Sequence, residues 1–327
     1  MGNYILRRLL YMVITLFFVS IIGFFIINIV PGSALDARIN QLRQQGGEVS
    51  YQEIQSLKAR YGLNDPIPVK YWKWVSGVVH GDFGESFTYQ APVSSLIGSR
   101  IGFSILLSSF ALIFTWLVAI PVGVYSATHR YTIPDYAVTL LQFIGVAVPD
   151  FLLALILLVF ASKVFHSDIG GLFSQQYQNA PWTWAKIQNL LGHLWIPVIV
   201  IAASATAWTT RVMRANLLDV LNQQYVQTAR AKGLREVIVV WKHAVRNALH
   251  PLIMTLGTLL PSLISGEVIV SIVLNLPTTG PLYVSALINK DMYLAITFLM
   301  ALSVLLVVGN LLADLLLAWV DPRIRYE

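Results

Sequence analysis

Two carboxylic acids that interrupt long apolar stretches are the first candidates for chemistry in this sequence. Asp150 directly follows Pro149 within Tyr136–Ser162, and Glu267 lies within Leu252–Leu276. An acid inside an apolar span is costly, so it indicates a functional group unless a neighbouring helix supplies a polar partner. We therefore predict that both acids line a polar pathway and that Asp150 could attract an ammonium group. For Asp150, pairing with a serine, threonine or arginine of a neighbouring helix is the alternative.

Motifs for catalysis and for metal binding are missing from the sequence. There is no cysteine, and the six histidines include no HExxH pair. The sequence also has no G-x-S-x-G nucleophile motif and no G-x-x-x-x-G-K-[ST] phosphate-binding loop. We therefore predict no catalytic residue, no metal site and no cofactor bound by this chain, which disfavours a membrane-embedded enzyme.

The composition places these acids in a membrane protein. Of 327 residues, 56% are hydrophobic and 12% are charged, about half of the roughly 25% charged residues of globular proteins. A membrane span needs about 20 mostly apolar residues. Six stretches reach or approach this length: Leu9–Val30, Ile101–Ala127, Tyr136–Ser162, Leu194–Thr210, Leu252–Leu276 and Met292–Val320. We predict an all-α polytopic membrane protein with six transmembrane helices; for the short fourth stretch, a buried soluble helix is the alternative.

Lysine and arginine are distributed unevenly between the connections. If the N-terminus is inside, twelve basic residues are cytoplasmic, whereas the short outer loops 166–193 and 277–291 contain only Lys186 and Lys290. Short cytoplasmic loops are enriched in these residues. We therefore predict a multi-pass membrane protein with both termini in the cytoplasm. The net charge of +6 is then explained by such cytoplasmic loops. A basic chain can bind nucleic acid, but the high apolar fraction argues against this, so we predict no nucleic-acid partner.

The predicted outer segment 31–100 is too long and too patterned to be a simple loop. Ser50–Glu53 resembles a helix N-cap with glutamate at the third position. Val69–Val79 is typical of a helix at the outer membrane interface, and Gly81–Ser86 predicts a glycine-rich turn. The predicted parts are an N-terminal transmembrane helix 1–30, an extracytoplasmic domain 31–100 and a core 101–327 with five transmembrane helices.

The most informative part of that core is the predicted cytoplasmic connection 211–250, which has a local charge of +5. Its apolar spacing and the absence of proline before Pro251 predict a largely helical segment. Within it, YVQTARAKG (Tyr225–Gly233) combines basic side chains with small ones that allow close approach of another surface. We predict that Gly233 ends one helix and lets the next begin at an angle. The pattern favours a short helix docked on a cytosolic partner, and a basic loop on anionic lipid is the alternative.

Four motifs occur along the chain in a fixed order. They are ILRRLL (Ile5–Leu10), GDFGESF (Gly81–Phe87), YVQTARAKGL (Tyr225–Leu234) with HAVRNALHP (His243–Pro251), and VDPRIRY (Val320–Tyr326). Together they resemble the permease subunits of the oligopeptide/dipeptide/nickel branch of ABC importers, and the third resembles their cytoplasmic coupling motif. Ala229 and Gly233 match the general motif, whereas Gln227 replaces its glutamate. Pro277–Gly280 departs from the Pro-Gly-x-Gly that is common in this branch.

The resemblance implies which residues couple the chain to its motor. These ATPase-coupling residues are Tyr225, Thr228, Ala229, Arg230, Lys232, Gly233 and Leu234. It also implies a second homologous permease subunit, two cytosolic ATPase subunits that bind ATP and magnesium, and an extracytoplasmic solute-binding protein. This non-catalytic chain would then form, with the second permease, an alternating-access pathway for peptides or similar small solutes. A self-sufficient secondary transporter or channel is the alternative.

Overall fold

The computed structural model describes residues 2–29, 65–165 and 170–320, and helices dominate it. The predicted helix that begins near Ser50 lies outside the described residues. The motif at Val320–Tyr326 also lies outside them, except for Val320. The helices in chain order are α1 (Gly2–Ile29), α2 (Ile67–Val79), α3 (Val93–Thr128), α4 (Ile133–Ala147), α5 (Asp150–Phe165), α6 (Trp184–Leu221), α7 (Gln224–Ala231), α8 (Glu236–Ile238), α9 (Val245–Ala248), α10 (His250–Met254), α11 (Leu256–Val273), α12 (Thr279–Ile288) and α13 (Met292–Val320). A two-stranded hairpin, β1 (Glu85–Ser86) and β2 (Ala91–Pro92), precedes α3, and a π-helical turn (Val239–Ala244) joins α8 to α9.

Helices long and apolar enough to cross a membrane account for the predicted spans. Among the described residues there are five, and there are six if one bent pair counts as a single span. The five are Leu10–Ile29, Val93–Thr128, Trp184–Leu221, Leu256–Val273 and Met292–Leu317. The all-α polytopic class is therefore confirmed, and the predicted number of six spans is reached if α4 and α5 together form one span.

The bent pair differs from the continuous span that the sequence predicts for Tyr136–Ser162. Helix α4 ends at Ala147, α5 begins at Asp150, and the two axes are bent by 106°. Val148 has extended backbone angles, with φ −80° and ψ 121°. The residue before a proline is pushed out of the helical region by the proline ring, so Pro149 breaks the predicted span into two helices.

The chain forms two compact units, and the boundary between them falls within α3 and within α13. The first unit contains residues 1–104 and 278–304. In it, α1 packs against α2 through a cluster that includes the buried Phe24 and Trp74. The predicted turn before the hairpin is confirmed, since Gly81 and Gly84 have φ of +82° and +89°. Asp291 is fully buried and holds the hairpin by accepting a 2.6 Å hydrogen bond from Ser86 Oγ.

The second unit, residues 105–277 and 305–327, is organised around α6. This helix of 38 residues packs against α4, α5 and α11. It begins where Thr183 Oγ1 accepts a hydrogen bond from the backbone N–H of Lys186 at 3.3 Å, a typical N-cap. The helix extends well beyond the 17 residues predicted for Leu194–Thr210, and its C-terminal end leads directly into α7, the helix that carries the coupling motif.

Candidate functional site

Helix α7 carries the predicted coupling motif and buries one side of it in the chain's own core. Val226 is fully buried and Ala229 is 6% exposed. Both belong to an apolar cluster with Met213 and Leu217 of α6. The cluster is completed by residues of α3, the π-helical turn, α9 and α10, namely Val124, Ala127, Val239, Val240, Ala244, Val245, Ala248 and Leu252. The small size of Ala229 therefore serves packing within this chain, whereas Ala231 is exposed.

Gly233 ends α7 through a left-handed backbone conformation, as the sequence predicts. Its φ is +73°. Its N–H donates to Arg230 O at 2.9 Å, and Leu234 N–H donates to Ala229 O at 3.4 Å. These two bonds are those of the Schellman motif, in which glycine relieves the strain of positive φ. The chain then turns into α8, whose N-cap residue is Arg235.

The remaining predicted coupling residues form an exposed edge around this turn. Tyr225 is 42% exposed and Leu234 is 40% exposed. Thr228, Lys232 and Gly233 are also exposed. The edge is held in place locally, because Asn247 Nδ2 donates a 2.6 Å hydrogen bond to the Tyr225 hydroxyl. It presents an aromatic ring, an apolar side chain and a positive charge beside open backbone, which is a surface suited to a protein partner.

The positive charge of this edge is smaller than the sequence suggests, because Arg230 is paired. Its Nη2 donates to Glu236 Oε1 at 2.7 Å, and its Nε donates to Glu236 Oε2 at 3.1 Å. The hydrogen bond and the charge of Arg230 lower the pKa of the Glu236 carboxyl below its ordinary value of 4.5. Glu236 also raises the pKa of Arg230. Lys232 and Arg235 therefore supply most of the net positive charge around the turn.

A buried ion pair that sequence reasoning missed joins α4 to α6. Asp135 is 2% exposed and accepts hydrogen bonds from Arg214 Nε at 3.0 Å and from Arg214 Nη2 at 2.8 Å. It also accepts from Ser126 Oγ and from the backbone N–H of Tyr131. The pair ties the α3–α4 connection to the part of α6 that leads into α7. The only sequence signal is an acid in the first turn of a helix, and nothing in the spacing pairs it with Arg214.

Asp150 lies on a cavity of about 410 Å³ in the second unit. Its Oδ1 accepts a 3.2 Å hydrogen bond from Ser204 Oγ, so a serine of a neighbouring helix is its partner. Asp150 therefore has the serine partner that was the predicted alternative, and it also faces a cavity. The other residues that line the cavity are Ile201, Ala205 and Trp208 from α6, and Thr255, Thr258, Leu259, Ser262, Leu263 and Gly266 from α11 and the residue before it.

Glu267, the other predicted pathway acid, has a different environment. Its side chain is fully buried in α11. It follows Gly266, which lines the cavity, but Glu267 itself is not among the lining residues. The structure therefore brings Asp150 together with the α11 residues before Glu267, but not with Glu267 itself. The pathway role of Glu267 remains a prediction. Among the described residues, no group of three or more His, Cys, Asp or Glu could hold a metal ion.

The fold defines a multi-pass α-helical membrane protein, and comparison with known families specifies it further. Residues 119–326 match the family model of the "Binding-protein-dependent transport system inner membrane component". Residues 1–108 match the N-terminal model of the membrane component of the same kind of system. The chain belongs to this family, and it is therefore a multi-pass inner-membrane protein and a permease subunit of an ABC importer. This confirms the resemblance predicted from the four motifs.

Curated relatives match the chain over its full length. The oligopeptide transport system permease protein AppB of Bacillus subtilis is 38% identical over 100% of both chains. The glutathione transport system permease protein GsiC of Salmonella paratyphi A is 31% identical, also over 100% of both chains. The relatives are permease subunits, and this chain is likewise a non-catalytic membrane subunit.

Proposed function

We propose that this chain and a second homologous permease subunit form an alternating-access pathway that imports peptides or similar small solutes. Two cytosolic ATPase subunits would bind ATP and magnesium and drive the pathway, and an extracytoplasmic solute-binding protein would deliver the solute. Both termini and the segment 211–250 would lie in the cytoplasm. The solute class is supported by the names of the relatives, since oligopeptides and glutathione are both peptides.

The observation that carries this proposal is the construction of α7. Its inner side is fixed in the cluster around Met213 and Leu217, and its end at Gly233 stays exposed beside Tyr225 and Leu234. A helix anchored in this way moves together with α6 when a partner pushes on its exposed end. Because α6 also packs against α4, α5 and α11, closure of the ATPase pair would be transmitted to the helices that surround the Asp150 cavity.

Reconstitution tests this proposal against a self-sufficient transporter. The purified chain alone, and the complete importer with both permeases and the ATPases, are placed in liposomes with a labelled tripeptide and the loaded binding protein. We expect uptake only from the complete importer and only with ATP and magnesium. Gradient-driven uptake by the chain alone would instead establish a secondary transporter or channel, and would contradict the proposal.

The two acids Asp150 and Glu267 are proposed to act within the pathway. Asp150 faces a cavity in this conformation, whereas Glu267 is buried. Exposure of Glu267 to the solute would therefore require movement of α11 during the transport cycle. We expect Asp150→Asn and Glu267→Gln to alter solute-stimulated ATP hydrolysis selectively for charged solutes. If neither variant changes transport of any solute, the pathway role is wrong.

A further inference from the structure

The residues that line the cavity beside Asp150 can accept hydrogen bonds from a ligand but have few free donors. Three hydroxyl groups of the lining already donate their protons to backbone carbonyls three residues earlier in the chain. Thr255 Oγ1 donates to Leu252 O at 2.9 Å, Thr258 Oγ1 to Thr255 O at 2.9 Å, and Ser262 Oγ to Leu259 O at 2.7 Å. A hydroxyl group has one proton and two lone pairs, so each of these oxygens can only accept from a ligand.

The fourth hydroxyl group of the lining is also committed. Ser204 Oγ lies 3.2 Å from Gly145 O and 3.2 Å from Asp150 Oδ1, and its single proton is shared between these two acceptors. The carboxylate of Asp150 adds further acceptor capacity and a negative charge. No lysine, arginine or histidine is among the eleven lining residues. Trp208 contributes one indole N–H and an aromatic ring, and aromatic rings attract cations.

This lining matches one chemical group particularly well. A primary ammonium group has three donors, no acceptor and one positive charge. It could donate to Asp150 and to the hydroxyl oxygens of Thr258 and Ser262, while the attached hydrocarbon would contact the apolar part of the lining, namely Ile201, Ala205, Leu259 and Leu263. An anion would meet an uncompensated carboxylate. A divalent metal ion usually requires several carboxylates, and Asp150 is the only carboxylate in the lining.

We propose that the Asp150 cavity is a binding subsite for a primary ammonium group of the transported solute. The assignment to the solute rests on the proposed import function, whereas the recognition of an ammonium group depends only on this chain. Phosphatidylethanolamine carries the same group, so the source must be distinguished by experiment. Asp150 is the specificity-determining residue of this subsite, and the α11 hydroxyl groups complete it.

Cysteine labelling tests recognition of the ammonium group without any transport. The chain contains no cysteine, so Ser262→Cys places a single thiol on the cavity. The thiol is labelled with 2-aminoethyl methanethiosulfonate, which is cationic, and with its anionic 2-sulfonatoethyl analogue, in the purified importer. Ser265→Cys, one turn further along α11 and outside the lining, is the matched control.

We expect the ratio of cationic to anionic labelling rates to be about tenfold higher at Ser262→Cys than at Ser265→Cys, the effect expected of one charge-assisted contact. Adding Asp150→Asn should remove this preference. The same preference with Asp150→Asn would overturn the proposal. The measurement is repeated in nanodiscs with and without phosphatidylethanolamine. Loss of the preference only when this lipid is present would assign the subsite to the lipid and would overturn its assignment to the solute.

A transport comparison tests whether the ammonium group belongs to the solute. Uptake of trialanine is compared with uptake of N-acetyl-trialanine in the wild-type importer and in Asp150→Asn. The preference of the binding protein cancels in this comparison. We expect Asp150→Asn to lower the ratio about tenfold, and Asp314→Asn, at an acid outside the lining, to leave it unchanged. An unchanged ratio in Asp150→Asn would overturn the solute subsite. If the wild-type importer shows no ATP-dependent uptake, the import function fails, and labelling still decides the recognition of ammonium.

Discussion

Arg214 and Asp135 form a bidentate ion pair inside the second unit, with N–O distances of 3.0 and 2.8 Å. The side chain of Asp135 is 3% exposed, and that of Arg214 is 25% exposed. Arg214 lies on α6 shortly before α7 begins, and Asp135 lies in the first turn of α4. Ser126 and the backbone of Tyr131 supply further hydrogen bonds to Asp135, so the pair fixes the α3–α4 connection to the end of α6 that leads into α7.

Removal of the Asp135 charge should destabilise the protein. We expect Asp135→Asn to lower the free energy of unfolding by about 2 kcal/mol, less than for a fully buried pair because Arg214 is partly exposed. Denaturant titration of the purified chain in mild detergent measures this. Asp65→Asn is the matched control, since Asp65 pairs with Lys73 at 2.6 Å on the surface, and its loss should cost less than about 1 kcal/mol. Equal effects of the two variants would contradict this role of the buried pair.

Gly233 permits a test of the coupling surface that separates charge from backbone strain. Asp and Asn have similar shapes and tolerate positive φ better than most residues. A Cβ added at Gly233 meets no atom within 4 Å. We expect Gly233→Asp to abolish uptake and copurification of the ATPase, because it places a negative charge beside Lys232 and Arg235. Gly233→Asn should retain most of both activities, and both variants should remain inserted in the membrane. Full uptake by Gly233→Asp would exclude this surface as the coupling site.

Substitutions at Ala229 and Ala231 should have different physical consequences. Ala229 is 6% exposed within the apolar cluster, so Ala229→Arg should lower the free energy of unfolding by about 3 kcal/mol through overpacking and burial of charge. Ala231 is exposed, and Ala231→Arg should change stability by less than about 0.5 kcal/mol. We expect both variants to lose transport. Folded protein of the Ala229→Arg variant should still bind the ATPase, whereas folded protein of the Ala231→Arg variant should not. Comparable stability of the two variants would show that Ala229 is not packed as described.

A close helix crossing in the second unit gives a prediction about glycine. A Cβ at Gly257 of α11 would lie 2.8 Å from Asn310 Cα of α13 and would also clash with the side-chain oxygen of Asn310. We expect Gly257→Ala to lower the free energy of unfolding by about 2 kcal/mol, because the two backbones must separate. Gly266→Ala on the same helix meets no atom within 4 Å and should stabilise the protein by about 0.5 kcal/mol through helix propensity. Similar unfolding curves for the two variants would contradict the close crossing.

The Arg230–Glu236 pair predicts a small dependence of stability on pH. The lowered pKa of Glu236 means that its stabilising contribution is present above the ordinary value of 4.5 and is lost as the pH falls through the lower pKa of the folded protein. The Glu236 side chain is 58% exposed, so we expect Glu236→Gln to cost only about 0.5 kcal/mol at pH 7. The difference from wild type should vanish in strong acid and shrink in high salt. A difference that persists in acid would exclude the ion pair as its cause.

Several parts of the fold could be predicted because they depend on local sequence. The apolar stretches predict membrane helices, since only a helix satisfies its backbone hydrogen bonds within one segment of lipid. Gly233 predicts the end of α7, because glycine adopts positive φ at little cost. Pro149 predicts that the helix is disturbed at this position, but it does not predict the angle of the bend. The 106° break between α4 and α5 depends on how both helices pack against α6.

The candidate sites were predictable to different degrees for a related reason. The motif Tyr225–Gly233 marks α7, the proposed coupling helix, but the sequence does not show that Ala229 faces inward or that Glu236 pairs with Arg230. Asp150 stands out as an acid in an apolar stretch. Three of the four hydroxyl groups that make its cavity an acceptor site come from α11 and the residue before it, more than one hundred residues later, so their proximity to Asp150 is a property of tertiary packing.

By itself, the sequence determined the class of protein, the apolar stretches that become helices and the end of α7 at Gly233, because these follow from hydropathy and glycine placement along short segments. The tertiary structure alone decided which polar groups meet. It joined Asp135 to Arg214, 79 residues apart, and gave Asp150 a serine partner from α6 and an open cavity. The physical reason is that such contacts depend on how helices rotate and cross, which short-range patterns do not specify.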